Sequence, residues 1–116
     1  MAGHIALHPA TSKAVMTIAC DHLNVTADRL GVVARLLVSP HLRGHRAGSR
    51  LLATAAAEAQ ARRLWPILDV DTNLTAAITL YEHAGWQRIG QASIDLPDGT
   101  SLHEAVYALD STPAAA

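Results

Sequence analysis

The residue types best suited to chemistry gather in one stretch, Arg43-Gly44-His45-Arg46-Ala47-Gly48, set between a long apolar run and an alanine-rich run. An apolar strand, a Ser39-Pro40 turn, an Arg/Gly bend and then a helix make a place to bind phosphate. The first backbone N–H groups of a helix have no intrahelical partner and point outward. The helix dipole adds positive potential at the same end. Gly44 and Gly48 let a ligand approach the backbone closely, and Arg43 and Arg46 bring full positive charge. The same residues also suit a tight strand-to-helix turn, with glycine serving packing and the arginines facing water. Both readings stay open on the loop alone.

Other reactive side chains are scattered. None of the seven histidines is spaced as a metal site. The lone Cys20 has no partner for an internal disulfide, which fits a reducing compartment, and reads as a small core residue rather than a nucleophile. Asp69 and Asp71 alternate with Leu68 and Val70, so they share the opposite face as a solvated pair or a helix-capping charge.

These residues need elements to hold them. Residues 4–8 read as a strand closed by Pro9. Residues 12–23 carry Val15, Met16, Ala19, Cys20 and Leu23 at helical spacing behind Ser12 as N-cap; a strand over 14–19 is the alternative. The run LGVVARLLV, residues 30–38, predicts a strand buried on both faces. Residues 48–63 predict a helix with Leu51, Leu52, Ala55, Ala56 and Ala59 on one face, broken by Trp65-Pro66. A buried strand over 67–70 and a helix over 75–84 follow, with Gly85 at C′. Strands over 86–94 and 103–109 form a hairpin around Pro97-Asp98-Gly99-Thr100. The expected fold class is therefore α/β with a mixed sheet. With 116 residues it is one domain over 1–110 and a flexible tail over 111–116.

Composition narrows the function. A net charge of −1 gives no basic face, which argues against a nucleic-acid module. Charged residues are only 16% of the chain, so part of an apolar surface is expected to lie under a partner. The first residues carry no charged n-region ahead of an apolar run, so no signal peptide is expected. No apolar stretch reaches the roughly 18–20 residues of a membrane span. The expected location is cytoplasmic.

Two stretches then carry a family resemblance. Residues 30–52, LGVVARLLVSPHLRGHRAGSRLL, resemble motif A of the GNAT acetyltransferases: a buried strand, a Pro-containing turn, and Arg/Gln-x-x-Gly-x-Gly/Ala leading into a helix. Leu68-Asp69-Val70 and then AAITLYEHAGW, residues 76–86, resemble motif B, with its Leu-Tyr-Glu-x-x-Gly-Trp/Phe ending. The chain departs from the pattern at Arg46, where the family has glycine, and at Leu74, where it usually has asparagine; Asn73 lies one residue earlier. The resemblance covers about residues 3–109.

It implies a GNAT-like (acyl-CoA N-acyltransferase) sheet with splayed parallel central strands, lacking the family's first strand and acceptor-side helices. The implied activity is an acetyl-CoA-dependent N-acetyltransferase acting on a primary amine of a small molecule or peptide. The alternative is a non-catalytic CoA-binding or partner-binding module with a degenerate acceptor site. The backbone of Leu37 and Val38 would pair with the pantetheine arm and offer an oxyanion N–H. Amides of Gly44, His45, Arg46, Ala47, Gly48 and Ser49 would hold the pyrophosphate beside Arg43. Asn73, or Leu74 in its place, would contact pantetheine. Tyr81 matches the tyrosine that protonates the leaving thiolate; packing alone is its other role. No metal is implied. No general base stands out: His8, His41 and His103 read as surface histidines, Glu82 as solvent-facing, and Arg35 as acceptor-facing or paired with a carboxylate such as Glu104. The strand near residue 4 would be an exposed edge, so a homodimer or another partner covering it is expected.

Overall fold

The computed structural model describes residues 3–8, 11–38 and 45–109, with side chains for 11–33 and 50–109. Strand β1 (Gly3–His8) is followed by helix α1 (Lys13–Leu23), a short 3-10 turn, and strand β2 (Leu30–Val38). Then come helix α2 (His45–Ala61), strand β3 (Trp65–Asp71), helix α3 (Thr75–His83), and strands β4 (Trp86–Asp95) and β5 (Ser101–Leu109). The strands form one sheet in the order β1-β2-β3-β5-β4. Among the described residues only β2 and β3 run parallel; the other pairs are antiparallel. The mixed α/β sheet agrees with the expected class. No helix among the described residues is long and apolar enough to cross a membrane.

Both faces of the sheet are covered, which explains the unbroken apolar runs of its central strands. On one face, Val33, Leu68, Val70, Ala105 and Tyr107 pack with Leu52, Ala55 and Ala56 of α2 and Tyr81 of α3. On the other, Leu30, Val32, Ile67, Val106 and Ala108 pack with Val15 and Ala19 of α1. The strand alternation thus splits the core in two. Residues 12–23 resolve in favour of the helix: Ser12 Oγ accepts from the Val15 N–H, and Asn24 in the αL conformation ends it. Gly90 lets α1 sit close, since a Cβ there would come within 2.7 Å of Ile18 Cγ2.

The β2–β3 pairing is short. It covers Leu30↔Trp65, Gly31↔Pro66 and Val32↔Ile67 and then stops. Beyond it, β3 stays paired with β5 as far as Asp71↔Glu104, and β2 stays paired with β1 as far as Val38↔Gly3. The two central strands therefore part toward their C-terminal ends. A bulge contributes. Between His4↔Leu37 and Ala6↔Ala34, β2 spends one residue more than β1. An extra residue bends its strand and increases the local twist, and this one lies just past the last β2–β3 pair.

Helix α2 corrects two expectations. It begins at His45 rather than Gly48, so His45, Arg46 and Ala47 form its first turn rather than a bend. It is also not ended by Trp65-Pro66, which opens β3 instead. Pro66 is tolerated there because the ladder with β5 starts only at Ile67. The stop is a Schellman motif: Leu64 N–H bonds to the Ala59 carbonyl at 2.8 Å and Arg63 N–H to the Gln60 carbonyl at 2.9 Å. Arg63 takes the αL position with φ +61°, where glycine is normally used. Replacing the exposed Arg63 by glycine should therefore raise stability by about 1 kcal/mol. The check is the thermal unfolding midpoint, expected to rise; an unchanged or lower one would mean that no strain is held at Arg63.

Candidate functional site

Three features meet at the carboxyl ends of the parallel strands, the end where open α/β sheets take their ligands. The first is the free inner edge of β2. From Val33 to Val38 its backbone has no partner on the β3 side among the described residues, so Leu37 and Val38 lie where main-chain groups are available to an extended ligand. The second is the start of α2. Its opening turn leaves the amides of His45, Arg46 and Ala47 without partners inside the helix. Gly48 and Ser49 follow in the same helix. The third is the turn from β3 to α3. Asp71 Oδ1 accepts from the Asn73 N–H at 2.9 Å, and the side chains of Asn73 and Leu74 are exposed. Arg43 and Gly44, the Ser39-Pro40 turn, His41 and the tail lie outside the described residues, as do the side chains of His8 and Arg35.

Tyr81 is the one buried residue of α3, at 8% exposure. Its ring meets that of Tyr107 with centroids 6.1 Å apart and planes at 55°. Burial, and then the charge of Asp69, push its hydroxyl above the ordinary tyrosine range, so it holds its proton at neutral pH. Tyr107 is fully buried, and its hydroxyl donates to Glu82 Oε2 at 2.8 Å. Burial and that bond raise its pKa as well. Glu82 is exposed as expected, yet it is also an acceptor.

The α1 face of the same region carries a carboxylate group that was not singled out as such from sequence. Asp71 on β3 pairs directly with Glu104 on β5, and Asp69 lies two residues along on the same face. Burial, a hydrogen bond with Asp69, and the charges of Asp69 and Asp71 raise the Glu104 pKa to about 7. Thr11, just before α1, donates from Oγ1 to Asp69 Oδ1 at 3.2 Å. A signal was available: period-2 alternation puts Glu104 in one row with Val106 and Ala108, an acid in line with buried apolar residues. Asp69 and Asp71 show their shared face by alternation, but nothing local places them beside Glu104. His103, expected at the surface, is exposed, with Nδ1 3.0 Å from Ser93 Oγ. Cys20 is partly buried against the α1-side core, as expected.

The family model of the acetyltransferase (GNAT) domain matches residues 4–88. An acetyltransferase of the GNAT family from Streptococcus pneumoniae shares 22% identity and a TM-score of 0.64, over 92% of this chain and 58% of that one. A candidate streptothricin acetyltransferase from Bacillus anthracis, solved in complex with acetyl coenzyme A, shares 19% and a TM-score of 0.70, over 93% and 55%. The ribosomal-protein-alanine N-acetyltransferase from Brucella melitensis shares 18% and a TM-score of 0.67, over 92% and 60%. At these identities the likeness is one of fold, and the chain spans less than two thirds of the length of each. No curated protein matches it. The family match runs from β1 through Tyr81 into β4, across the parted strands, and the chain belongs to the GNAT acetyltransferase domain family.

Proposed function

We propose that this chain is an N-acetyltransferase that moves the acetyl group of acetyl-CoA to a primary amine of a small molecule or peptide. The observation that carries this reading is the parting of β2 and β3 beyond Val32 and Ile67, with the first turn of α2 at the same end of the sheet. The pantetheine arm pairs with main-chain groups of Leu37 and Val38 as an added strand. The pyrophosphate sits on the amides of His45, Arg46 and Ala47, with Arg43 and Gly44 beside it. Asn73 or Leu74 borders the arm from the β3–α3 turn. Acetyl coenzyme A in the Bacillus anthracis protein and the alanine amine named for the Brucella melitensis enzyme support the choice of donor and acceptor.

The acceptor arrives from the α1 face, where Asp69 and Glu104 stand. Their pair takes a proton from the incoming ammonium, and a pKa of about 7 for Glu104 suits a base working near neutrality. The amine nitrogen attacks the thioester carbon, the C–N bond forms and the C–S bond breaks. An N–H near Leu37 or Val38 stabilises the charge growing on the carbonyl oxygen. Tyr81 gives its proton to the departing sulfur, and the second proton that the nitrogen loses as the amide forms restores Tyr81. Holding both substrates together removes much of the entropic barrier. A reducing, cytoplasmic setting fits the single thiol of Cys20. The outer edge of β1, an end strand of the sheet, pairs with a second copy of the chain.

Isothermal titration should show acetyl-CoA binding, and release of free thiol on a panel of amines should follow. Absence of binding would end the proposal, and binding without turnover would favour the CoA-binding or partner-binding alternative. Light scattering should report twice the chain mass; a monomer at high concentration would rule out the β1 pairing. Glu104 makes a prediction of two signs. Its folded pKa lies above the ordinary value of 4.5, so the stability tied to its protonated form is complete below pH 4.5 and lost as pH rises through about 7. Glu104→Gln should therefore be more stable than the parent at pH 8 and indistinguishable at pH 4. Its kcat at pH 7–8 should fall by on the order of 100-fold. Thermal melts and thiol release across that range check both; full activity in the variant would remove Glu104 as base.

A further inference from the structure

Helix α3 is nine residues long, and Leu74 at its N-terminus gives no side-chain cap. A helix that short has little stability of its own, so its docking on the sheet decides where Tyr81 stands. One side chain on β5 meets it twice. The ring of Tyr107 lies 6.1 Å from that of Tyr81, and its hydroxyl bonds to Glu82, the next residue of the helix, at 2.8 Å. Successive helical residues point about 100° apart. Fixing Glu82 toward β5 therefore fixes the rotation of α3 about its axis, and with it the direction of Tyr81. The Tyr107 ring is fully buried and fills the core, a task phenylalanine would do equally well. The hydroxyl adds nothing to that packing; what it adds is the bond to Glu82.

We propose that Tyr107 and Glu82 are positioning residues, whose hydrogen bond holds α3 at the rotation that aims the Tyr81 hydroxyl at the departing thiolate. This rests on the reading of Tyr81 as proton donor. Neither residue touches substrate; both act through Tyr81. The effect on rate is out of proportion to the size of the bond, because a displacement of about 1 Å from the reacting position costs on the order of 100-fold.

The chain has two tyrosines, so tyrosine labelled with carbon-13 at Cζ gives two resonances, assigned with Tyr81→Phe and Tyr107→Phe. In Glu82→Ala the Tyr81 resonance should shift or broaden. In Glu82→Gln, whose amide oxygen still accepts the Tyr107 hydroxyl, it should stay near the parent position. In acetyl transfer, Tyr107→Phe and Glu82→Ala should each lower kcat by about 10-fold with the KM for acetyl-CoA unchanged. Glu82→Gln should recover most of the rate, and the double variant Tyr107→Phe/Glu82→Ala should be no worse than either single one. A parent-like Tyr81 resonance and kcat in Glu82→Ala would overturn the proposal, as would a Glu82→Gln variant as slow as Glu82→Ala. If Tyr81→Phe itself keeps full kcat, it is the proton-donor role that fails, and the resonance of Tyr81 in Glu82→Ala still decides whether the bond holds the helix.

Discussion

Two parallel strands that pair over three positions and then separate set the terms for everything else in this molecule. Hydrogen bonding ordinarily zips neighbouring strands along their shared length, because unpaired backbone groups inside a fold are costly. Here each central strand is committed to its other neighbour, β2 to β1 through Val38 and β3 to β5 through Asp71. The extra residue in β2 between Ala34 and Leu37 turns that strand away just after its last contact with β3. The result is a row of backbone donors and acceptors in the middle of a sheet rather than at its rim, open to a ligand able to supply the missing strand.

The flanking elements make sense around that opening. Chain direction brings the start of α2 and the β3–α3 turn to the same end, so unpartnered amides and a buried phenol border one gap. The two halves of the core divide the labour. The α2–α3 face holds Tyr81 among apolar residues and keeps it protonated. The α1 face holds Asp69, Asp71 and Glu104 close enough together that one proton stays on Glu104 to about pH 7. A buried phenol that keeps its proton and a carboxyl that titrates near neutrality thus lie on opposite sides of one sheet.

Much of this was legible in the residues, and what was not has physical reasons. The bounds of β2 followed from an apolar run that only a strand covered on both faces would carry. Tyr81 and Gly85 sat in a motif whose spacing reflects one helix and its cap. The start of α2 misled because Gly44 and Gly48 together look like a loop, whereas Gly48 is tolerated within the helix just after its first turn. The end of α2 misled because Pro66 draws attention as a breaker, while the stop is made by Arg63 in a conformation that its side chain does not advertise. Glu104 as a titrating group depends on its register with Asp71, across 33 residues of chain. The Tyr107–Glu82 bond likewise joins residues far apart in sequence. A bulge adds one ordinary residue to a strand and leaves no compositional mark at all.

Hydrogen exchange of the backbone amides, followed with and without acetyl-CoA, tests the central claim most directly. If the gap between β2 and β3 is the cofactor site, acetyl-CoA will slow exchange at residues 33–38 and at His45, Arg46 and Ala47, while the β4–β5 hairpin stays as it was. Acetyl-CoA that binds but protects neither the inner edge of β2 nor the first turn of α2 would contradict it.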